Sequence, residues 1–61
     1  MLNNLMNGVK KNMLRAQINV VITKLERNIE ELRTKNDRAS KELIKVYQED
    51  IQAYKDYLET L

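Results

Sequence analysis

Two apolar stripes that are out of step with each other constrain this chain more than any other feature. Ile18, Ile22, Leu25, Ile29 and Leu32 recur at spacings of 4, 3, 4 and 3, the alternation that lines one narrow face of a helix. A second run, Ile44, Tyr47, Ile51, Tyr54, Leu58 and Leu61, repeats at 3, 4, 3, 4 and 3. Leu32 and Ile44 are 12 residues apart, whereas an unbroken heptad pattern requires 11. On a helix of 3.6 residues per turn, one extra residue rotates the stripe by about 100°. Either the chain turns back between the runs, or one long helix carries a skip residue.

Register favours turning back. Facing residues of an antiparallel hairpin have a constant index sum, and Ile18 with Leu58, Ile22 with Tyr54, Leu25 with Ile51, Ile29 with Tyr47 and Leu32 with Ile44 all add to 76. Arg27 falls level with Glu49 and Glu31 with Lys45, so the same register places opposite charges at equal heights, a weak but consistent preference. The segment between the runs, Thr34 to Ser40, holds what a glycine-free turn needs. Arg33 and Lys35 suit a helix C-terminus, Asn36 tolerates the left-handed conformation, and Asp37 or Ser40 can cap the next helix with Glu42 in its first turn.

Composition agrees with a helical chain and narrows its chemistry. There is one Gly and no Pro, His or Cys in 61 residues. Hairpin turns of the two-residue kind, Gly-rich phosphate loops and disulfides are thereby excluded. Without His or Cys the commonest general base, the thiol nucleophile and the strongest zinc ligands are missing. Adjacent carboxylates such as Glu30-Glu31 and Glu49-Asp50 diverge on a helix, so they read as solvated charge. No catalytic residue, metal or cofactor is expected. The opening stretch is too polar for a signal peptide and no segment is long and apolar enough for a membrane span, which points to a soluble, cytoplasmic protein.

The first 14 residues do not fit inside the hairpin, since Arg15 already faces Leu61 at the same index sum. They are nonetheless apolar on one side: Leu2, Met6, Val9, Met13, Ala16 and Val20 follow at 4, 3, 4, 3 and 4, with Leu5, Leu14 and Val21 widening the surface. Asn7-Gly8 is the one place where this run would break. The expected fold is therefore all-α, a single domain over 1–61. It is an antiparallel hairpin with a long helix at about 9–35, a turn at about 35–40 and a helix at about 40–60, with room for a short N-terminal helix over 2–6. A lone two-helix hairpin of this size is marginal. Leu2, Met6, Val9, Met13 and Val20 are thus expected to build a four-helix-bundle dimer.

Charge is uneven along the chain. Residues 1–25 carry Lys10, Lys11, Arg15 and Lys24 and no acid, a net +4, and the remaining residues carry a net −2. Lys10, Lys11 and Arg15 are candidates for a partner or phosphate contact. Tyr57, the one tyrosine off the second stripe, is a candidate interface anchor. Together these features imply a non-enzymatic helical protein that self-associates, favouring a dimer, and regulates or inhibits a larger protein partner, in the manner of a small bacterial or phage accessory protein. A nucleic-acid-binding regulator using the basic N-terminal face, and a structural coiled-coil component of a larger assembly, are the alternatives.

Overall fold

The computed structural model describes the backbone of residues 2–61 and the side chains from Gly8 onward. Two helices are joined by a short turn and pack against each other: α1, Leu2–Arg33, and α2, Arg38–Thr60. The hairpin measures 54 × 16 × 11 Å. Its long dimension follows from α1, whose 32 residues span about 48 Å at 1.5 Å each.

Helix α1 is unbroken from Leu2, so neither a separate helix over 2–6 nor a start near residue 9 is found. Gly8 lies inside it, and a Cβ added there would meet nothing within 4 Å. Glycine in a helix interior costs only about 1 kcal/mol relative to alanine. Ending and renucleating a helix fixes several residues for a single hydrogen bond, so the cheaper course is to continue through Asn7-Gly8.

The turn sits earlier than the sequence suggests, and local hydrogen bonding explains the shift. Thr34 and Lys35 donate their amides to the carbonyls of Glu31 (3.2 Å) and Leu32 (3.1 Å), and the Thr34 hydroxyl also donates to Glu31 O at 2.7 Å. These bonds use the orphan carbonyls at the end of α1. Asn36 then takes a positive φ of 24°, a conformation asparagine accepts more readily than most residues. Asp37 is extended and caps α2, its carboxylate accepting from the Ser40 amide at 3.3 Å. Because Asp37 is the cap, α2 starts at Arg38, and Glu42 falls in the second turn of the helix instead of the first.

The core is thin. Ile18, Ile22, Ile29 and Ile51 are buried, and Leu14, Leu25, Ile44, Tyr47, Leu58 and Leu61 pack around them in part. Leu32 is half-buried at the turn end, whereas Tyr54, placed on the seam by its spacing, remains 38% exposed. No side chain with described placement is fully buried. Every side-chain hydrogen bond among the described residues joins positions three or four apart. The ion pairs, Arg33–Glu30 at 2.7 Å and Arg38–Glu42 at 3.4 Å, also stay within one helix. Among the described residues, apolar contact alone holds α1 to α2. Arg27 and Glu49, and likewise Glu31 and Lys45, share a level but do not pair. At about 100° per residue each lies some 120–180° round its helix from the seam, on the outer backs of the hairpin.

Candidate interaction surfaces

Rotation about each helix shows how the leftover apolar residues are distributed. Starting from the buried seam of α1, Leu14, Val21, Leu25 and Leu32 lie to one side of it, at up to about 100°. From the seam of α2, Leu43, Val46, Tyr54, Tyr57 and Leu61 lie in the same rotational sense. In an antiparallel pair, the same sense of rotation from the common seam leads to the same flank of the hairpin. A shallow groove on that flank agrees with the geometry, since its lining takes Asn28, Glu31, Leu32 and Lys35 from α1 and Leu43 and Tyr47 from α2. Asn28 with Tyr47 and Leu32 with Leu43 have positions adding to 75, one removed from the register read in the sequence.

The α2 side of this flank is mostly apolar and largely uncovered, while its α1 side also carries charge, Glu31 and Lys35 lining the groove. Val46 is 49% exposed and Tyr57 48%, with Leu43, Tyr54 and Val21 between a third and two-fifths. Asp50 is the one charged residue of α2 that falls within it. The opposite flank carries Asn19, Thr23, Glu26 and Glu30 from α1 and Lys41, Gln48, Gln52 and Glu59 from α2, all exposed. The exposed apolar residues of α2 therefore gather on one flank of the hairpin and not on the other, a division that single-helix periodicity does not reveal.

A second apolar surface lies on the back of α1, facing away from α2. Val9, Met13 and Val20 are each more than half exposed there; Leu2 and Met6, which continue the same spacing, lie outside the described side chains. Residues 1–25, which carry this stripe, contain no acid. Lys24 and Arg27 line a dent beside Val20, together with Asn19 and Thr23. Lys10, Lys11 and Arg15 are exposed on other sides of the helix, with about 100° between neighbouring positions, so they do not form one face. Arg15 donates to Asn12 Oδ1 at 3.5 Å. None of Lys10, Lys11, Arg15 and Lys24 takes part in an ion pair.

The chain matches no protein-family model, no curated protein and no solved structure.

Polar chemistry is sparse elsewhere. Among the described residues no group of three or more acidic, His or Cys side chains is placed to hold a metal ion, and no described helix is long and apolar enough to cross a membrane. Among the described residues the one buried polar side chain, Ser40, is satisfied: its hydroxyl donates to Asp37 Oδ1 at 2.5 Å. That bond, more than any other influence, holds the Asp37 carboxyl below its ordinary pKa, with the Ser40 amide acting in the same sense. Ser40 and Asp37 form a helix cap, and their hydrogen bonding is consumed by that task.

Proposed function

We propose that this is a non-enzymatic, cytoplasmic interaction protein: a helical hairpin that self-associates through coiled-coil-like packing and regulates or inhibits a larger protein by binding it along a helix face. The observation that carries the reading is the imbalance between what is buried and what is exposed. Four isoleucines form the buried core, while two separate apolar surfaces, the flank shared by α1 and α2 and the back of α1, remain in water. Exposed apolar stripes of this size mark contact surfaces, and an amphipathic helix face is a standard means of engaging a groove or a second helix.

The two surfaces differ in charge, which divides the work between them. The back stripe lies in a 25-residue segment with net charge +4 and no acid, so the partner that suits it is an acidic protein surface carrying an apolar groove or helix. Replacing Val9, Met13 and Val20 together with Gln tests this. Affinity capture from cells of the source organism is expected to recover a stoichiometric protein with the parent chain and lose it with the triple variant, while helicity and mass stay unchanged. Recovery of the same protein by both chains would contradict the reading.

The unpaired state of Lys10, Lys11, Arg15 and Lys24 supports a second reading, binding to a nucleic acid through its phosphates. Such binding weakens steeply with salt, the slope reporting the number of phosphates neutralised. Binding to a duplex that is indifferent to salt, or unaffected by Lys10→Gln with Lys11→Gln, would reject it.

A further inference from the structure

From the back of α1 we infer that Lys24 and Arg27 are the charge-reading end of that surface, and that its occupant is an amphipathic helix of a partner protein, with apolar residues over Val9, Met13 and Val20 and carboxylates over Lys24 and Arg27. The inference rests on the reading of the back stripe as a protein contact, and it names the partner's chemistry and the cations that select it.

Position is the first argument. Val20, Lys24 and Arg27 all lie about 140–180° round α1 from the buried seam of Ile18, Ile22 and Ile29, and the three line one dent with Asn19 and Thr23. The cations that the sequence alone brings forward lie elsewhere. Lys11 and Arg15 are within about 40° of the seam direction, and Lys10 is about 100° from it. From its N-terminal side, then, the back presents about 17 Å of apolar surface between Val9 and Val20, followed by about 10 Å that ends at Arg27 and carries two positive charges.

The chain itself does not answer those charges. The positions three and four residues from Lys24 are Val20, Val21, Arg27 and Asn28, so it has no acid within reach along the helix. Its neighbour on the same face is a like charge, an arrangement that mildly destabilises a helix. Arg27 has Glu30 and Glu31 at three and four residues, and both are engaged elsewhere. Glu30 pairs with Arg33 at 2.7 Å. Glu31 lines the groove on the other side of α1, with Asn28, Leu32 and Lys35, and an arginine placed before its acid is the weaker order for such a pair. Glu26 sits on the flank opposite that groove. Neither Lys24 nor Arg27 makes an ion pair among the described residues.

The apolar neighbours decide which anion suits the site. Val9, Met13 and Val20 are each more than half exposed, and a nucleic-acid backbone has no apolar surface to cover them. A phosphate track would also need Lys10, Lys11 and Arg15 on the face of Lys24 and Arg27, and they are not there. A helix laid along α1 supplies both parts. Its apolar stripe covers the valines and Met13, and acids three or four positions apart on it stand one turn apart, the spacing of Lys24 and Arg27. Charge at one end alone also fixes which way the partner's apolar and acidic ends lie.

Two synthetic helical peptides of about 20 residues, long enough to cover Val9 to Arg27, test this on the intact protein. They share one leucine heptad stripe and end in either a Glu pair or a Lys pair one turn apart. The Glu peptide is expected to shift the Met13 methyl resonance and to bind about tenfold more tightly than the Lys peptide, as two surface ion pairs allow. Lys24→Glu with Arg27→Glu is expected to reverse that preference; should this variant unfold, Lys24→Gln with Arg27→Gln is expected to abolish it. Lys10→Glu with Lys11→Glu, an equal change in net charge, is expected to preserve it. Equal affinity of the parent chain for both peptides, or an equal effect of the Lys10 and Lys11 changes, would overturn the role of Lys24 and Arg27 and leave the apolar contact standing. Peptide binding that survives replacement of Val9, Met13 and Val20 by Gln would overturn the back stripe as the contact as well. A Met13 shift with phosphatidylglycerol vesicles and with neither peptide would overturn the helix as occupant in favour of a lipid surface.

Discussion

Asp37 and Ser40 carry the most specific chemistry in the molecule, and it is structural. The carboxylate accepts both the amide and the hydroxyl of Ser40 at the positive end of α2, where a negative charge is favoured. Its pKa is accordingly lowered from 3.8, chiefly by the hydroxyl bond, against a smaller opposing effect of desolvation. A pKa lower in the folded than in the unfolded chain means stabilisation that is complete above the ordinary value and is lost as pH falls through the folded one. Asparagine caps about as well as aspartate but does not titrate. Asp37→Asn is therefore expected to keep the helicity seen at pH 7 while flattening the loss of thermal stability below about pH 4. Identical acid melting profiles for the two proteins would show that the cap does not depend on the charge of Asp37. The identity of this residue as a capping candidate was legible because its side chain and its distance from the second stripe are local properties. That Ser40 would sit beneath it, buried and donating, required knowing which of the two residues begins the helix.

At the scale of the elements, α1 is a helix with two working faces and α2 a helix with one and a half. Heptad spacing alone was enough to find both seams, because side-chain direction repeats with the helix turn and Ile18, Ile22, Ile29 and Ile51 need only that repeat to converge. It failed at Tyr54, whose spacing is right but whose ring is left 38% exposed near the flank edge. It also failed at Asn7-Gly8, where a residue that permits a break was read as causing one. Continuity through Gly8 has a direct consequence: its site is open, so Gly8→Ala is expected to gain up to about 1 kcal/mol of helix stability. Circular dichroism should record greater helicity and amide exchange should record slower opening near residue 8. Unchanged or reduced helicity would mean that α1 is not continuous there. The shared flank of Val21, Leu43, Val46 and Tyr57 was out of reach of either stripe taken singly. It emerges only when rotation about both helices is combined with their antiparallel sense, which is a property of the pair.

For the whole molecule, the decisive quantity is the mismatch between a core of four buried isoleucines and the two apolar surfaces left outside it. No hydrogen bond or ion pair among the described residues fastens α1 to α2, so the hairpin depends on apolar burial. On the proposed self-association, a second hairpin of the same kind supplies further burial. Coupling of folding to association makes thermal stability depend on concentration by mass action, whereas a self-sufficient hairpin melts at one temperature at any concentration. Absolute mass by multi-angle light scattering, taken over a concentration series, tests this most directly. The account predicts a species of about twice the 7.3 kDa chain mass that dissociates, with loss of helicity, only on dilution. A fully helical species at 7.3 kDa throughout the series would contradict it.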